Sequence, residues 1–227
     1  VEGRVMVRNI PEIESASTNY GNFSYYFEND SVVRKVPLLL NEGGQIFPAL
    51  SVETLRLYGG EKPYTLKSDG GLTTVEISPF PKIPVSKDGQ FRVYYRNYDK
   101  ARYISAVDVL KGRESAKVLN GALALVGTSA AGLFDLRSTP LDPVVPGVES
   151  HIQMIENIWL GTHIIRPENA QVIEFWVQIA FSILLILMVA KAGALTAFCS
   201  YMLLISSVVV WGFWQFKMGG LLYDWAF

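Results

Sequence analysis

VIEFWVQIAFSILLILMVA (residues 172–190), then Lys191, then AGALTAFCSYMLLISSVVVWGFW (residues 192–214) is the stretch that decides how this chain is read. Each apolar run is long enough to cross ~30 Å of hydrocarbon as a helix, which takes roughly 20 residues. The chain has 11 prolines and none follows Pro167, a sorting for which a soluble core gives little reason. Residues 167–214 are therefore expected to form two transmembrane helices with a turn near Lys191. Residues 1–166 then make one folded domain held at a bilayer surface. Residues 215–227, ending in MGGLLYDWAF, read as the start of a third membrane segment cut short, so the chain is expected to be part of a longer protein.

Charge narrows the class of partner. The 227 residues hold 20 Lys and Arg against 21 Asp and Glu. The tail carries Lys191, Lys217, Glu174 and Asp224, so the balance holds in the domain as well. No basic excess means no footprint for nucleic acid and no polybasic lipid anchor. The one cysteine, Cys199, lies in the second apolar run. The domain is thus expected to have neither disulfides nor a cysteine zinc site, which suits an oxidising compartment. His151 and His163 lack metal-ligand spacing, and neither metal nor cofactor is expected.

Ahead of the hairpin the pattern alternates between strand and helix. Residues 5–7 read as a strand end and are followed by a polar loop through Gly21. Residues 23–27 and 32–40 are β-rich runs around the turn Glu28-Asn29-Asp30-Ser31, with Pro37 marking an edge or a bulge. Val52, Leu55 and Tyr58 recur at helical spacing before Gly59-Gly60. Residues 64–67 and 73–77 read as strands around residues 68–71. Residues 91–95 alternate Phe91, Val93 and Tyr95 with Arg92 and Tyr94. Ser105 and Asp108 fit a capping box. Residues 122–126 (ALALV) have the continuous apolarity of a strand covered on both faces. Residues 149–160 are amphipathic, with Ile152, Ile155 and Trp159 on one side.

Catalytic readings fit poorly. Residues 127–132 (GTSAAG) space their glycines like a phosphate loop, but Leu133-Phe134 stand where Lys and Ser/Thr belong. Ser129, Asp135 and His151 follow hydrolase order, yet Ala131 breaks the GxSxG elbow. No catalytic residue is assigned. Arg34, Arg92, Arg96 and Asp135 are the candidates for contacting a ligand, the arginines for an anionic one. Gln171, Glu174, Gln178 and Ser182 share one helical face, and Thr196, Ser200 and Ser207 share another. Polar stripes in lipid face other helices, which predicts packing against further transmembrane helices of the same or another chain.

Several stretches together resemble the CHASE2 family of extracytoplasmic sensor domains. They are Glu28-Asn29-Asp30-Ser31-Val32-Val33-Arg34-Lys35-Val36-Pro37-Leu38, Phe47-Pro48-Ala49-Leu50-Ser51, and Ser105-Ala106-Val107-Asp108-Val109-Leu110-Lys111-Gly112. Gly121 through Gly127 to Asp135, Thr139-Pro140, and Pro146-Gly147-Val148-Glu149-Ser150-His151 on to Glu156-Asn157 and Gly161 follow in family order. Ser31 replaces the family's turn glycine and Ala122 a lysine. The resemblance implies an α/β extracytoplasmic sensor domain, a mixed sheet with flanking helices whose N-terminal part is missing, followed by an α-helical transmembrane hairpin.

It further implies a multi-pass protein of the bacterial inner membrane with the domain on the periplasmic side. The signal would pass by Trp159, Glu174 and Gln178 to a cytoplasmic output domain outside this chain. That output is expected to be a class III adenylate or guanylate cyclase, otherwise a kinase or diguanylate cyclase. Expected partners are the lipid bilayer and either a homodimer mate or a membrane complex. An accessory or scaffold subunit of a large membrane complex is the alternative.

Overall fold

A computed structural model of the chain describes residues 9–17, 19–26, 28–69, 72–86, 88–114, 116–128 and 135–225. The strand end expected at residues 5–7, Phe27 and Ser129 lie outside them. α1 (Pro11–Ala16) occupies what reads as loop; Pro11 opens it, and Glu12 and Glu14 sit at its positive end.

Among the described residues four small antiparallel sheets follow in place of one mixed sheet. β1 (Lys35–Pro37) pairs with β7 (Gln90–Arg92), setting Lys35 opposite Arg92 and Val36 opposite Phe91. Pro37 ends β1, and the chain breaks step at Leu38 before β2 (Leu39–Glu42), as the edge-or-bulge expectation requires. β2 turns tightly into β3 (Gln45–Pro48), with Gly43 and Gly44 both at positive φ, the geometry of a two-residue hairpin. β4 (Thr65–Asp69), β5 (Leu72–Glu76) and β6 (Ile83–Val85) form an antiparallel set, and β8 (Leu136–Arg137) pairs with β9 (Val145–Pro146). Among the described residues parallel pairing is confined to single bridges, at Asn22–Ala49, Val32–Ser138 and Ile165–Leu221.

α2 (Leu50–Tyr58) buries Val52 and Leu55 and stops at Gly59, as its spacing predicts. α3 (Ala106–Leu110) and α4 (Ala116–Leu119) are short, and the side chain of Ser105 makes no capping bond. Asp108 is drawn instead to Arg113 at 2.8 Å. α5 (Val148–Leu160) closes the core over α2 and the strands, with Val36, Leu38, Leu55, Phe91, Met154 and Ile158 buried together.

Two strand expectations fail. Residues 23–26 form no strand; their neighbour Asn22 reaches Ala49 through a single bridge. Residues 122–126 form none either: Leu123 and Leu125 lean on the core, while Val126 is 94% exposed. An apolar run creates a demand for burial, but a strand also needs a partner's backbone at 4.7–4.9 Å, and none of the described residues pairs with it.

α6 (Ala170–Ala192) and α7 (Ala194–Gly219) are both long and apolar enough to cross a bilayer and turn at Gly193. α7 runs past Trp214, so residues 215–219 continue it where a third segment was expected. Gly220 then ends the helix at φ 62, and residues 221–225 run extended. A side chain at Gly220 would collide with the His163 carbonyl. The tail folds back instead, with Ile165 N donating to Gly220 O and Leu222 N to Ile165 O, each at 2.8 Å.

Candidate functional site

α5 is bonded to the sheet by its side chains. Beyond Arg92 the β7 strand loses its strand neighbour, yet residues 94–96 remain held. Tyr94 N donates to Asn157 Oδ1 (2.6 Å) and Asn157 Nδ2 donates back to Tyr94 O (3.1 Å). Arg96 N and O make the same pair with Gln153, at 2.7 and 3.0 Å. Two residues of strand rise about 6.6 Å and four residues of helix about 6 Å, so amides one turn apart meet alternate residues of the strand. The helix supplies the ladder a strand would have made.

The rest of this buried seam is also polar. Gln153 Nε2 donates to Glu149 Oε1 (2.6 Å), and Glu149 Oε2 accepts from Tyr103. Tyr95 donates to Ser150 Oγ (3.0 Å), and Tyr25 to the Gly147 carbonyl (2.6 Å). Burial pushes the phenols of Tyr25, Tyr95 and Tyr103 upward, Tyr95 to about 12, so they stay protonated. His151 is 2% exposed, and burial pulls its imidazole down to about 4, leaving it neutral.

That histidine is no hydrolytic base. Its Nδ1 shares a hydrogen bond with Ser51 Oγ (3.2 Å), and Ser51 is itself fully buried, beyond any substrate's reach. Asp135 directly precedes β8 and is tied to the residue before α5: its carbonyl accepts from Gly147 N (2.8 Å) and its carboxylate pairs with Arg137 (3.2 Å). Among the described residues no group of acidic, histidine or cysteine side chains could hold a metal.

The candidate arginines differ in what they already hold. Arg34 is taken by Asp30 (2.6 and 3.0 Å) and Glu28 (2.8 Å). The Arg34 guanidinium holds the Asp30 carboxyl at about 2. Lys35 takes the other oxygen of Glu28 at 3.2 Å. Arg96 is exposed, and its backbone belongs to the ladder. Arg92 is half-buried, and its guanidinium has no hydrogen-bond or ion-pair partner among the described residues. Burial lowers its pKa, helped by the charges of Arg166 and Arg34 and opposed by Glu28.

Trp159, Glu174 and Gln178 are not brought together. The buried face of α5 carries Ser150, Gln153, Met154, Ile155, Asn157 and Ile158, so of the expected Ile152, Ile155 and Trp159 only Ile155 is in the core, while Ile152 lies at its margin and Trp159 is exposed. Trp159 is 46% exposed and packs on Tyr58 and Phe80, with ring centroids 5.1 and 5.2 Å away, over a shallow cavity of about 420 Å³. Glu174, 7% exposed, accepts from Arg166 Nη2 (2.8 Å) and from Asp224 N (2.6 Å). It ties the approach to α6, α6 itself and the returning tail into one clasp. Gln178 lies one turn further on, where its carbonyl accepts from Ser182 Oγ (2.9 Å). Tyr94 stacks on Phe216, ring centroids 6.1 Å apart, joining the ladder segment to the end of α7.

The amide ladder and the clasp are the features the sequence reading missed. Gln153 and Asn157, one turn apart on an amphipathic helix, were the available signal for the first. Arg166 eight residues before Glu174 was the signal for the second. No curated protein and no solved structure matches the chain. The model of the CHASE2 domain matches residues 3–194, taking in the sheets, the α5 seam and the first apolar helix. The chain therefore belongs to the CHASE2 family, sensor domains of membrane receptors.

Proposed function

We propose that this chain is the extracytoplasmic input module of a bacterial inner-membrane receptor, with α6 and α7 as a transmembrane hairpin and a cytoplasmic output domain beyond it. The carrying observation is the unbroken chain of bonded contacts from the sheet to the hairpin. The ladder joins residues 94–96 to α5, Tyr94 stacks on Phe216 of α7, and the Arg166–Glu174–Asp224 clasp holds the start of α6. A shift of α5 against the sheet therefore strains both ends of the hairpin.

Aromatic placement supports the spanning arrangement. Phe175 and Trp176 lie early in α6, and Trp211 and Trp214 lie late in α7. Tyr223 and Trp225 pack on Trp211 at 5.5 and 5.7 Å. All six gather at the end nearest the domain, where a lipid headgroup belt favours such rings. Lys191 lies at the far end, the side that positive charge favours in the cytoplasm.

The output is a class III nucleotide cyclase in the first reading, and a kinase or diguanylate cyclase in the next. The input acts by population shift, so a ligand must prefer one arrangement of α5 over another. The test replaces Trp159 with Asp in the chain fused to a reporter cyclase. A charge among Tyr58, Phe80 and Trp159 is expected to change the basal output and abolish the response. An unchanged response at normal expression rules α5 out as the route and leaves the scaffold reading ahead.

A further inference from the structure

We propose that Arg92 is the centre of an anion site that takes a phosphate group at the junction between the domain and the hairpin. Arg92 carries a charge without a hydrogen-bond or ion-pair partner among the described residues. Arg92 stands across from Lys35 on the β1–β7 pair; burial lowers its pKa, the charge of Glu28 raises it, and those of Arg166 and Arg34 lower it. Each of these three neighbours is already neutralised. Arg34 holds Asp30 and Glu28, Lys35 holds Glu28, and Arg166 holds Glu174. Arg92 alone holds nothing, although it is half-buried.

A guanidinium drawn partly out of water without a hydrogen-bond partner raises the free energy of the empty site, because the charges around it are paired with one another and not with it. An anion that reaches it gains a charge-assisted bond and offsets that desolvation. The fork of Arg92 presents parallel N–H groups that match two oxygens of one phosphate. Glu28, the acid whose charge acts on Arg92, has both its oxygens engaged by Arg34 and Lys35.

Position narrows the source of the phosphate. Tyr94, two residues on, stacks on Phe216, and Lys217 follows on the last turn of α7. Arg166 lies just ahead of α6. If the hairpin spans a bilayer, this level is that of the lipid headgroups. The shared chemistry is a phosphate oxygen pair, carried by a lipid or free in solution. Binding is a separate property from signalling, so this site stands or falls without reference to the output domain.

The experiment follows thermal unfolding of the whole chain in a maltoside detergent, which carries no phosphate. One arm adds inorganic phosphate against chloride at matched ionic strength. The other adds phosphatidylglycerol against diacylglycerol, which lacks the phosphate. At about ten times the dissociation constant, wild type should rise by roughly 3 °C in at least one arm. A rise with lipid alone assigns the site to headgroups, and a rise with inorganic phosphate assigns it to a free anion.

Arg92→Met should unfold at the same or a higher temperature than wild type without added anion, because it removes an uncompensated charge, and it should lose the increment. Arg92→Lys, which keeps the charge but not the fork, should need about tenfold more ligand. Arg96→Gln should keep the full increment. The proposal is overturned by no increment in either arm, by an increment that survives Arg92→Met, or by an Arg92→Met chain that fails to fold or unfolds earlier than wild type.

Discussion

α5 and the hairpin are both helical, yet they present opposite chemistry to their surroundings. α5 buries eight of its 13 residues, and five of the eight are polar: Glu149, Ser150, His151, Gln153 and Asn157. Across α6 and α7, only Ala170, Glu174 and Ala197 are buried among the described side chains, while Ile183, Ile186, Leu195 and Leu203 face outward. The reason is where hydrogen-bond partners are found. Buried polar groups of α5 meet fixed partners in residues 94–96, at Tyr103 and at Ser51 on α2, so polarity there specifies one docking geometry. The hydroxyls of Ser182, Ser206 and Ser207 have no such partner and turn back to carbonyls of their own helix, at 2.9, 2.8 and 2.7 Å. Such back-bonding satisfies a hydroxyl on an apolar helix from within the helix itself.

The contrast breaks most sharply at the ladder. Gln153→Leu combined with Asn157→Leu keeps the shape of α5 but strips the partners from the amides and carbonyls of Tyr94 and Arg96. At about 1–3 kcal/mol for each unsatisfied group, with water reclaiming some, the loss should be about 4–6 kcal/mol. Thermal unfolding and limited proteolysis of the domain measure it. A loss below about 1 kcal/mol would mean that the ladder does not hold α5 in place.

Acid should act on the same seam. The unfolded chain takes up a proton on His151 below 6.5, whereas the folded chain refuses it until about 4. Stability present at pH 7 is therefore lost as pH falls through that window, by about 3 kcal/mol at the bottom. Titrating the unfolding temperature from pH 7 to 4 tests this, with His151→Gln expected to flatten the curve. An equal acid slope in the variant would place the titration elsewhere.

The hairpin should respond in the reverse sense. Ile183→Arg puts a charge on an exposed face, a change that is nearly neutral on a water-facing helix. On a spanning helix it should cost about 2.5–3.5 kcal/mol of insertion, read as loss of the membrane-integrated fraction. Undiminished insertion would count against the spanning arrangement. The smallest effect is expected at Ser105→Ala. That serine makes no capping bond, so unfolding should move by less than about 0.5 kcal/mol, where a working cap gives about 1.

Much of the fold was legible because it follows from local pattern. Val52 and Leu55 at helical spacing place α2, and Phe91, Val93 and Tyr95 all point into the core as their alternation predicts. The hairpin of β4 and β5 follows from its two β-rich runs. Elsewhere local pattern misleads. Residues 122–126 have the composition of a covered strand, but among the described residues no strand pairs with them. Ser105 and Asp108 have the spacing of a capping box, but Arg113 claims the aspartate. The candidate site divides in the same way. Arginine composition names Arg34, Arg92 and Arg96 alike, and only the ion pairs around Glu28 and Asp30 separate the unpartnered guanidinium from the engaged one.

By itself the sequence determined two long apolar helices, an amphipathic helix before them and an α/β domain of balanced charge. Each depends on side-chain polarity repeating at 3.6 or 2 residues, or not alternating at all, and that information is local. Tertiary structure alone decided that Gln153 and Asn157 replace a missing strand, that His151 answers Ser51 a hundred residues away, and that Glu174 clasps Arg166 and the returning tail. These are pairings of polar groups over long separations. Composition states that such groups need partners; only the path of the chain supplies them.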